Sequence, residues 1–218
     1  MDFDWQVAWN SVPFLLQGAW LTIQLTTIAV FFGIILGTIT ALLRLTKSPF
    51  KYLAIAYTDF MRGTPLLVQI FIIYYGFPPL IQRPIPAYIA AVIALSLNSG
   101  AYVAEIIRSG IQSIEIGQTE AALSLGLTYR QTMRHIILPQ AFKRVIPPLG
   151  NEFIALLKDS SLVSVIALEE LVRKAQIVIG RNFRPFETYF VVAIMFLIMT
   201  VSISQLVSYL ERRLKVGE

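Results

Sequence analysis

Apolar residues along this chain come in long blocks separated by short polar stretches. Crossing a hydrocarbon core of about 30 Å takes roughly 20 mostly apolar residues in a helix. Five segments meet that length and predict spans over residues 14–43, 52–76, 85–107, 140–166 and 188–210. The first and last are the cleanest. The second and fourth contain Pro, Gly and charge, which a lipid-facing helix tolerates badly, so those two are expected to line something polar. The predicted fold class is an all-α integral membrane protein, a single transmembrane domain spanning residues 1–218.

Composition agrees with the pattern. Of 218 residues 56% are hydrophobic and 14% charged, an apolar share above and a charge well below the globular norm. The absence of Cys excludes disulfides, thiolate metal sites and thiol nucleophiles. The first dozen residues carry Asp2 and Asp4 but no Lys or Arg, unlike the basic start of a signal peptide, so the start is expected to be retained. The net charge of +5 follows membrane sidedness. With five spans, Arg44, Lys47, Lys51, Arg108, Arg130, Arg134, Lys143, Arg144, Arg212, Arg213 and Lys215 share one side, and Arg83, Arg173, Lys174, Arg181 and Arg184 the other. The richer side is expected to be cytoplasmic, with the N-terminus outside and the C-terminus inside. On the outer side, Leu168–Val178 pairs Glu169 with Arg173 and Glu170 with Lys174 at i,i+4, which predicts an amphipathic helix.

The polar stretch EAALSLGLTYRQTMRHIILP, Glu120–Pro139, falls in the connection over residues 108–139, between spans three and four. Its first half is a short helix of good formers stopped at Gly126. Thr128 and Gln131 then make a capping box for a second helix, and Pro139 marks a boundary before span four. Glu120-Ala121-Ala122, Gly126 and Ile136-x-Leu138-Pro139 resemble the EAA loop of the membrane-spanning subunits of bacterial ABC importers. RGTPLLVQIF (62–71), LNSGAYVAEIIRSGI (97–111) and LLKDSSLVSVI (156–166) further resemble permeases of the polar amino acid branch. At Glu115 and Thr119, where relatives often carry Pro and Trp, the chain departs from the pattern.

The resemblance implies a type I ABC importer-like subunit in a bacterial inner or plasma membrane. A cytoplasmic coupling helix would dock in a groove of a separate ATPase subunit through Glu120, Ala121, Ala122, Gly126, Arg130 and Pro139. It implies two ATPases that bind ATP–Mg, a second permease subunit about a two-fold axis, expected to be an identical copy, and an amino acid-binding protein outside. No cofactor or metal of its own is expected. No G-x-x-x-x-G-K-[ST] occurs, so ATP hydrolysis is left to the partner. The only His, His135, lies among basic residues of the loop, and no triad or H-E-x-x-H is present. A transport subunit, not an enzyme, is expected.

Ionisable groups at bilayer depth cost roughly 2.5–3.5 kcal/mol on insertion scales and call for a partner or a function. Span four holds Glu152, Lys158 and Asp159. Pro147, Pro148 and Gly150 interrupt its start; if the helix resumes near Leu149, Asp159 lies ~15 Å along, with Glu152 on the same face and Lys158 about 100° away. Asn98 in span three reaches a comparable depth. Asp159, Asn98, Glu152, Thr64, Ser160 and Tyr102 are therefore the candidate substrate-binding residues, and two carboxylates favour a cationic guest such as arginine, lysine or histidine. Alternatively, Asp159 pairs with Lys158 of a neighbouring subunit and Glu152 is neutral. Asp59 with Arg62, and Glu105 with Arg108, read as structural i,i+3 pairs. The competing function is a gradient-driven carrier or ion channel, although the inverted repeats common in secondary transporters are not seen.

Overall fold

The computed structural model describes residues 3–46 and 48–215; Asp2 and Lys47, used in the charge argument, lie outside them. Helix α1 (Trp5–Leu45) starts earlier than the apolar pattern suggests because Asp4 caps it, its carboxylate accepting from the amides of Gln6 (3.0 Å) and Val7 (3.2 Å). Next come α2 (Phe50–Gly63), α3 (Leu66–Phe71) and α4 (Phe77–Ile81), with a π turn at Ile72–Gly76 joining the last two. Helix α5 (Ala87–Gln112) leads to α6 (Ile116–Ser124) and α7 (Tyr129–Thr132). A second π turn, Met133–Ile137, opens into α8 (Leu138–Asp159). A 3-10 turn (Ser160–Ile166), α9 (Leu171–Asn182) and α10 (Pro185–Lys215) complete the order.

Among the described residues, α1, α5 and residues Pro185–Arg213 of α10 are each long and apolar enough to cross a membrane. Helix α2 and residues Leu66–Ile81 qualify only together, bent by 108°. Helix α8 does not qualify by itself, since Lys143, Arg144, Glu152, Lys158 and Asp159 place too much charge along its length.

The bundle is organised around α5, along which α1 lies for most of its length. Small residues set that spacing: a Cβ on Gly37 would stand 2.6 Å from Cβ of Val103, and one on Gly33 2.8 Å from Oγ of Ser99. In an apolar solvent close backbone approach of this kind replaces the hydrophobic effect as the packing force. The main core gathers Leu25, Ile70, Leu95, Leu156, Val163 and Ile166 from α1, α3, α5, α8 and the 3-10 turn.

Three prolines behave differently from expectation. Pro139 does not end a helix: the amide of Leu138 bonds to the carbonyl of Met133, five residues back, and this π turn leads through the proline into α8. The same device precedes Pro78, where Phe77 bonds to Ile72. Pro147 and Pro148 lie within α8, which is helical from Leu138 to Asp159 and does not restart after them. The helical path thus runs from Tyr129 to Asp159, a length of about 45 Å at 1.5 Å per residue.

Three ion-pair expectations, Glu169–Arg173, Glu170–Lys174 and Asp59–Arg62, are also corrected; Arg173 donates instead to Oε1 of Gln176 (3.1 Å). Glu170 sits outside α9 as its N-cap, so its carboxylate takes the amides of Val172 (2.9 Å) and Arg173 (2.8 Å) instead of Lys174. Lys174 turns to Glu169 (3.6 Å) and to Oε1 of Gln17 (3.2 Å). Arg62 reaches Glu105 at 3.6 Å, across to α5, instead of Asp59 on its own helix; the Glu105–Arg108 pair is present.

Candidate functional site

The break between α2 and α3 follows from Gly63-Thr64-Pro65. Proline has no amide hydrogen and disfavours the helical region for the residue before it, and Thr64 is extended at φ −116°, ψ 147°. The break leaves carbonyls at the end of α2 without helical partners, which must be satisfied from elsewhere. Thr64 Oγ1 donates to the carbonyl of Phe60 (2.8 Å). Gln69 does most of the rest: its Nε2 lies 2.8 Å from the Met61 carbonyl, 3.1 Å from the Thr64 carbonyl and 2.9 Å from Thr64 Oγ1. Asn98 then donates from Nδ2 to Oε1 of Gln69 (3.1 Å) and to the Met61 carbonyl (3.4 Å). Gln69 is not among the residues expected from sequence; as the one polar residue inside the apolar run LLVQIF, it was the available signal.

Against this break lies a cavity of about 410 Å³ lined by Thr64, Pro65 and Leu66, by Asn98 and Tyr102 of α5, and by Glu152, Ala155, Leu156 and Asp159 of α8, with Leu162 beyond. Helical periodicity explains the convergence. Asn98 and Tyr102 are four residues apart, Glu152 and Asp159 seven, so each pair shares one face of its helix. Five of the six expected substrate residues therefore meet in one place. Ser160 does not join them: it is fully buried, and its hydroxyl donates to the carbonyl of Leu157 (2.7 Å). The amide of Asn98 is committed to the frame of the break, whereas Asp159 is exposed and Glu152 half-buried. Two carboxylates and no Lys or Arg line the cavity; Lys158 is exposed on another face of α8.

The loop of the EAA pattern is a second built feature. Helix α6 ends in a full Schellman motif: the Gly126 amide bonds to the Leu123 carbonyl (2.9 Å) and that of Leu127 to Ala122 (3.1 Å). Gly126 sits at φ +84°. Thr128 and Gln131 form both halves of the capping box. Glu120, Ala121, Gly126, Arg130 and Pro139 are exposed, whereas Ala122 is buried against its own chain, so its small size serves the packing of α6. Three apolar side chains that the sequence reading passed over stand in solvent here: Ile116 (75% exposed), Leu125 (84%) and Tyr129 (67%). Ile114, Ile137 and Ala141 form a small core beneath the loop, and Arg144 donates to Ser113 Oγ (3.2 Å), tying α8 to the end of α5.

An apolar helical bundle in which a broken helix and a charged helix converge on a polar cavity is the architecture of a membrane transport subunit, and the comparisons agree. Residues 29–216 match the family model described as binding-protein-dependent transport system inner membrane component. The chain is 38% identical over 218 residues to the glutamine transport system permease protein of Escherichia coli (strain K12), covering 99% of this chain and 100% of that one. It is 38% identical over 219 residues to the arginine transport system permease protein of Bacillus subtilis (strain 168), covering 100% of both. The L-cystine transport system permease protein of the same organism is 45% identical over 204 residues, 93% of this chain and 87% of that one. Among solved structures, a subunit of a crystallised amino acid ABC transporter with histidines superposes with a TM-score of 0.94 at 44% identity, covering 98% of this chain and 100% of that one. The chain belongs to the family of binding-protein-dependent transport system inner membrane components, as an amino acid ABC transporter permease subunit.

Proposed function

We propose that this chain is the permease subunit of an ATP-driven importer of basic amino acids, with Asp159 and Glu152 as the counter-charges for the substrate's cationic side chain. The observation that carries this reading is the cavity itself, which collects two carboxylates and no Lys or Arg. A guest cation there replaces water as the partner of both carboxylates, while Asn98, Tyr102 and Thr64 add polar contacts. The relative whose name specifies arginine fits this reading; those naming glutamine and cystine define the alternatives to be tested.

The coupling route is the helical path from the loop to the cavity. The Schellman stop at Gly126 and the capping box at Thr128 hold α6 and α7 at a fixed angle, with Glu120, Arg130, Ile116, Leu125 and Tyr129 offered to a partner ATPase that binds ATP–Mg. Closure of two such ATPases displaces α7, and the continuous path to Asp159 carries the displacement directly to the carboxylates. Two copies of this chain about a two-fold axis, a solute-binding protein outside and the EAA loop in the cytoplasm complete the assembly; the N-terminus is outside and the C-terminus inside.

The test is Asp159→Asn and Glu152→Gln in the purified complex with its ATPase, reconstituted in proteoliposomes. Each substitution keeps shape and removes charge, so arginine uptake is expected to fall by at least about tenfold, the equivalent of roughly 1.4 kcal/mol of lost charge pairing. Unchanged arginine uptake in both variants, with assembly intact, defeats the assignment.

A further inference from the structure

Between the cavity and the coupling loop lies a cluster of four charged side chains from three helices. Glu105 follows Tyr102 by three residues on α5, about 4.5 Å further toward the loop, and collects Arg44 of α1, Arg62 of α2 and Arg108 of α5. Three guanidinium groups against one carboxylate leave the cluster with an excess of positive charge directly beside a cavity lined by two carboxylates.

The three arginines are not held alike. Arg44 lies 3.0 Å from Glu105 Oε2, also donates to Thr58 Oγ1 (3.0 Å), and its side chain is only 14% exposed. Arg108 engages both carboxylate oxygens, with Nε 3.1 Å from Oε2 and Nη2 on Oε1. Arg62 has one contact of 3.6 Å, beyond good hydrogen-bond length, and its side chain is 40% exposed. Its guanidinium carbon stands 5.6 Å from the ring centroid of Tyr102, a residue that lines the cavity. Removing a partner from a buried ion pair is costly when it strands a charge, but Glu105 keeps two arginines when Arg62 leaves. Arg62 is therefore detachable at little cost, whereas Arg44 and Arg108 are fixed.

We propose that Arg62 is the latch of the inner gate. In the present arrangement it ties the end of α2, two residues before Thr64, to Tyr102 and Glu105 on α5 and closes the side of the cavity that faces the coupling loop. Movement of α2 against α5 lifts Arg62 off both partners and opens the way out. The positive floor also holds a cationic substrate against Asp159 and Glu152 until that movement happens. This inference rests on the transport reading above, and Arg62 is a positioning residue in it, not a contact of the substrate.

The experiment uses the full complex in proteoliposomes preloaded with labelled amino acid, with ATP-free efflux as the readout beside ATP-driven uptake. Wild-type uptake over a panel of amino acids first identifies the carried substrate, so failure of the basic-substrate reading is seen separately and efflux is then followed with the amino acid that is carried. Arg62→Gln is expected to raise ATP-free efflux about five- to tenfold, as loss of a weak ion pair and a cation–π contact implies, and Arg62→Lys, whose ammonium can make both the ion pair and the cation–π contact, to stay within about twofold of wild type. Efflux from Arg62→Gln equal to wild type, or equal leak in both variants, overturns the latch. If Arg62→Gln does not assemble, wild-type efflux is compared across a roughly tenfold range of ionic strength; a severalfold rise at high salt supports the latch and no change overturns it.

Discussion

Replacing Gly126 by Ala isolates the mechanical role of the coupling loop, because the substitution meets no steric obstacle. A Cβ at this position has no atom within 4 Å, so the whole cost is conformational and comes from φ +84°. For an L-residue the left-handed region costs roughly 1–2 kcal/mol, a factor of about 5–30 in the equilibrium between the formed and frayed turn. Amide hydrogen exchange reads that factor where it acts, at the Gly126→Leu123 and Leu127→Ala122 hydrogen bonds that define the stop. Exchange at residues 126 and 127 is expected to accelerate about 5- to 30-fold in Gly126→Ala, with the amides of α5 unchanged. Gly117 supplies the control: it also has open space around its Cβ position, lies inside α6, and has no positive φ. Gly117→Ala should slow exchange in α6, since Ala is favoured over Gly in a helix by about 1 kcal/mol. Equal exchange at residues 126 and 127 in Gly126→Ala and wild type refutes the claim that a left-handed stop holds the coupling element.

Three further outcomes follow from the geometry. Gln69→Leu removes the main donor to the Met61 and Thr64 carbonyls and the acceptor of Asn98, leaving Met61 and Asn98 only their mutual 3.4 Å contact; weakening hydrogen bonds of part-buried groups costs about 1–3 kcal/mol, and a loss of thermal stability in the detergent-solubilised complex is expected. Gly37→Val forces side-chain atoms into Val103, and overpacking of this kind costs typically about 1–3 kcal/mol, read as a lower melting temperature with α1 and α5 pushed apart. Glu170, outside the membrane-spanning helices and fully buried beside Arg173 and near Glu169 and Lys174, is pushed by burial from 4.5 up to about 7 despite the amides it accepts. The folded state thus binds this proton more tightly than the unfolded one. Its stabilising contribution is complete below about pH 4.5 and is lost as pH rises through about 7, and Glu170→Gln should flatten the stability profile over that window.

Local chemistry made much of this fold legible. The stop at Gly126 and the capping box at Thr128 depend only on residues within a few positions of each other, and spacings of four and seven residues on a helix place Asn98 with Tyr102 and Glu152 with Asp159. What sequence hid were choices settled by distant partners. Arg62 prefers Glu105, forty-three residues on, to Asp59, and Glu170 prefers the amides of its own helix end to Lys174. Ser160 follows Asp159 in sequence but points into the core, because the chain tightens into a 3-10 turn at that residue. Pro139 and Pro147 resemble helix breakers in any local reading, yet a π turn absorbs the first and α8 continues through the second. Gln69 became meaningful only once the break beside it was seen to leave carbonyls in need of a donor.

Uptake of labelled arginine, histidine, glutamine and glutamate into proteoliposomes holding this subunit and its ATPase, with and without ATP, tests the central claim most directly. ATP-dependent uptake confined to arginine and histidine is the predicted result. ATP-dependent uptake of glutamine or glutamate instead contradicts the role of Asp159 and Glu152 as counter-charges, and uptake indifferent to ATP contradicts the coupling route from the loop to the cavity.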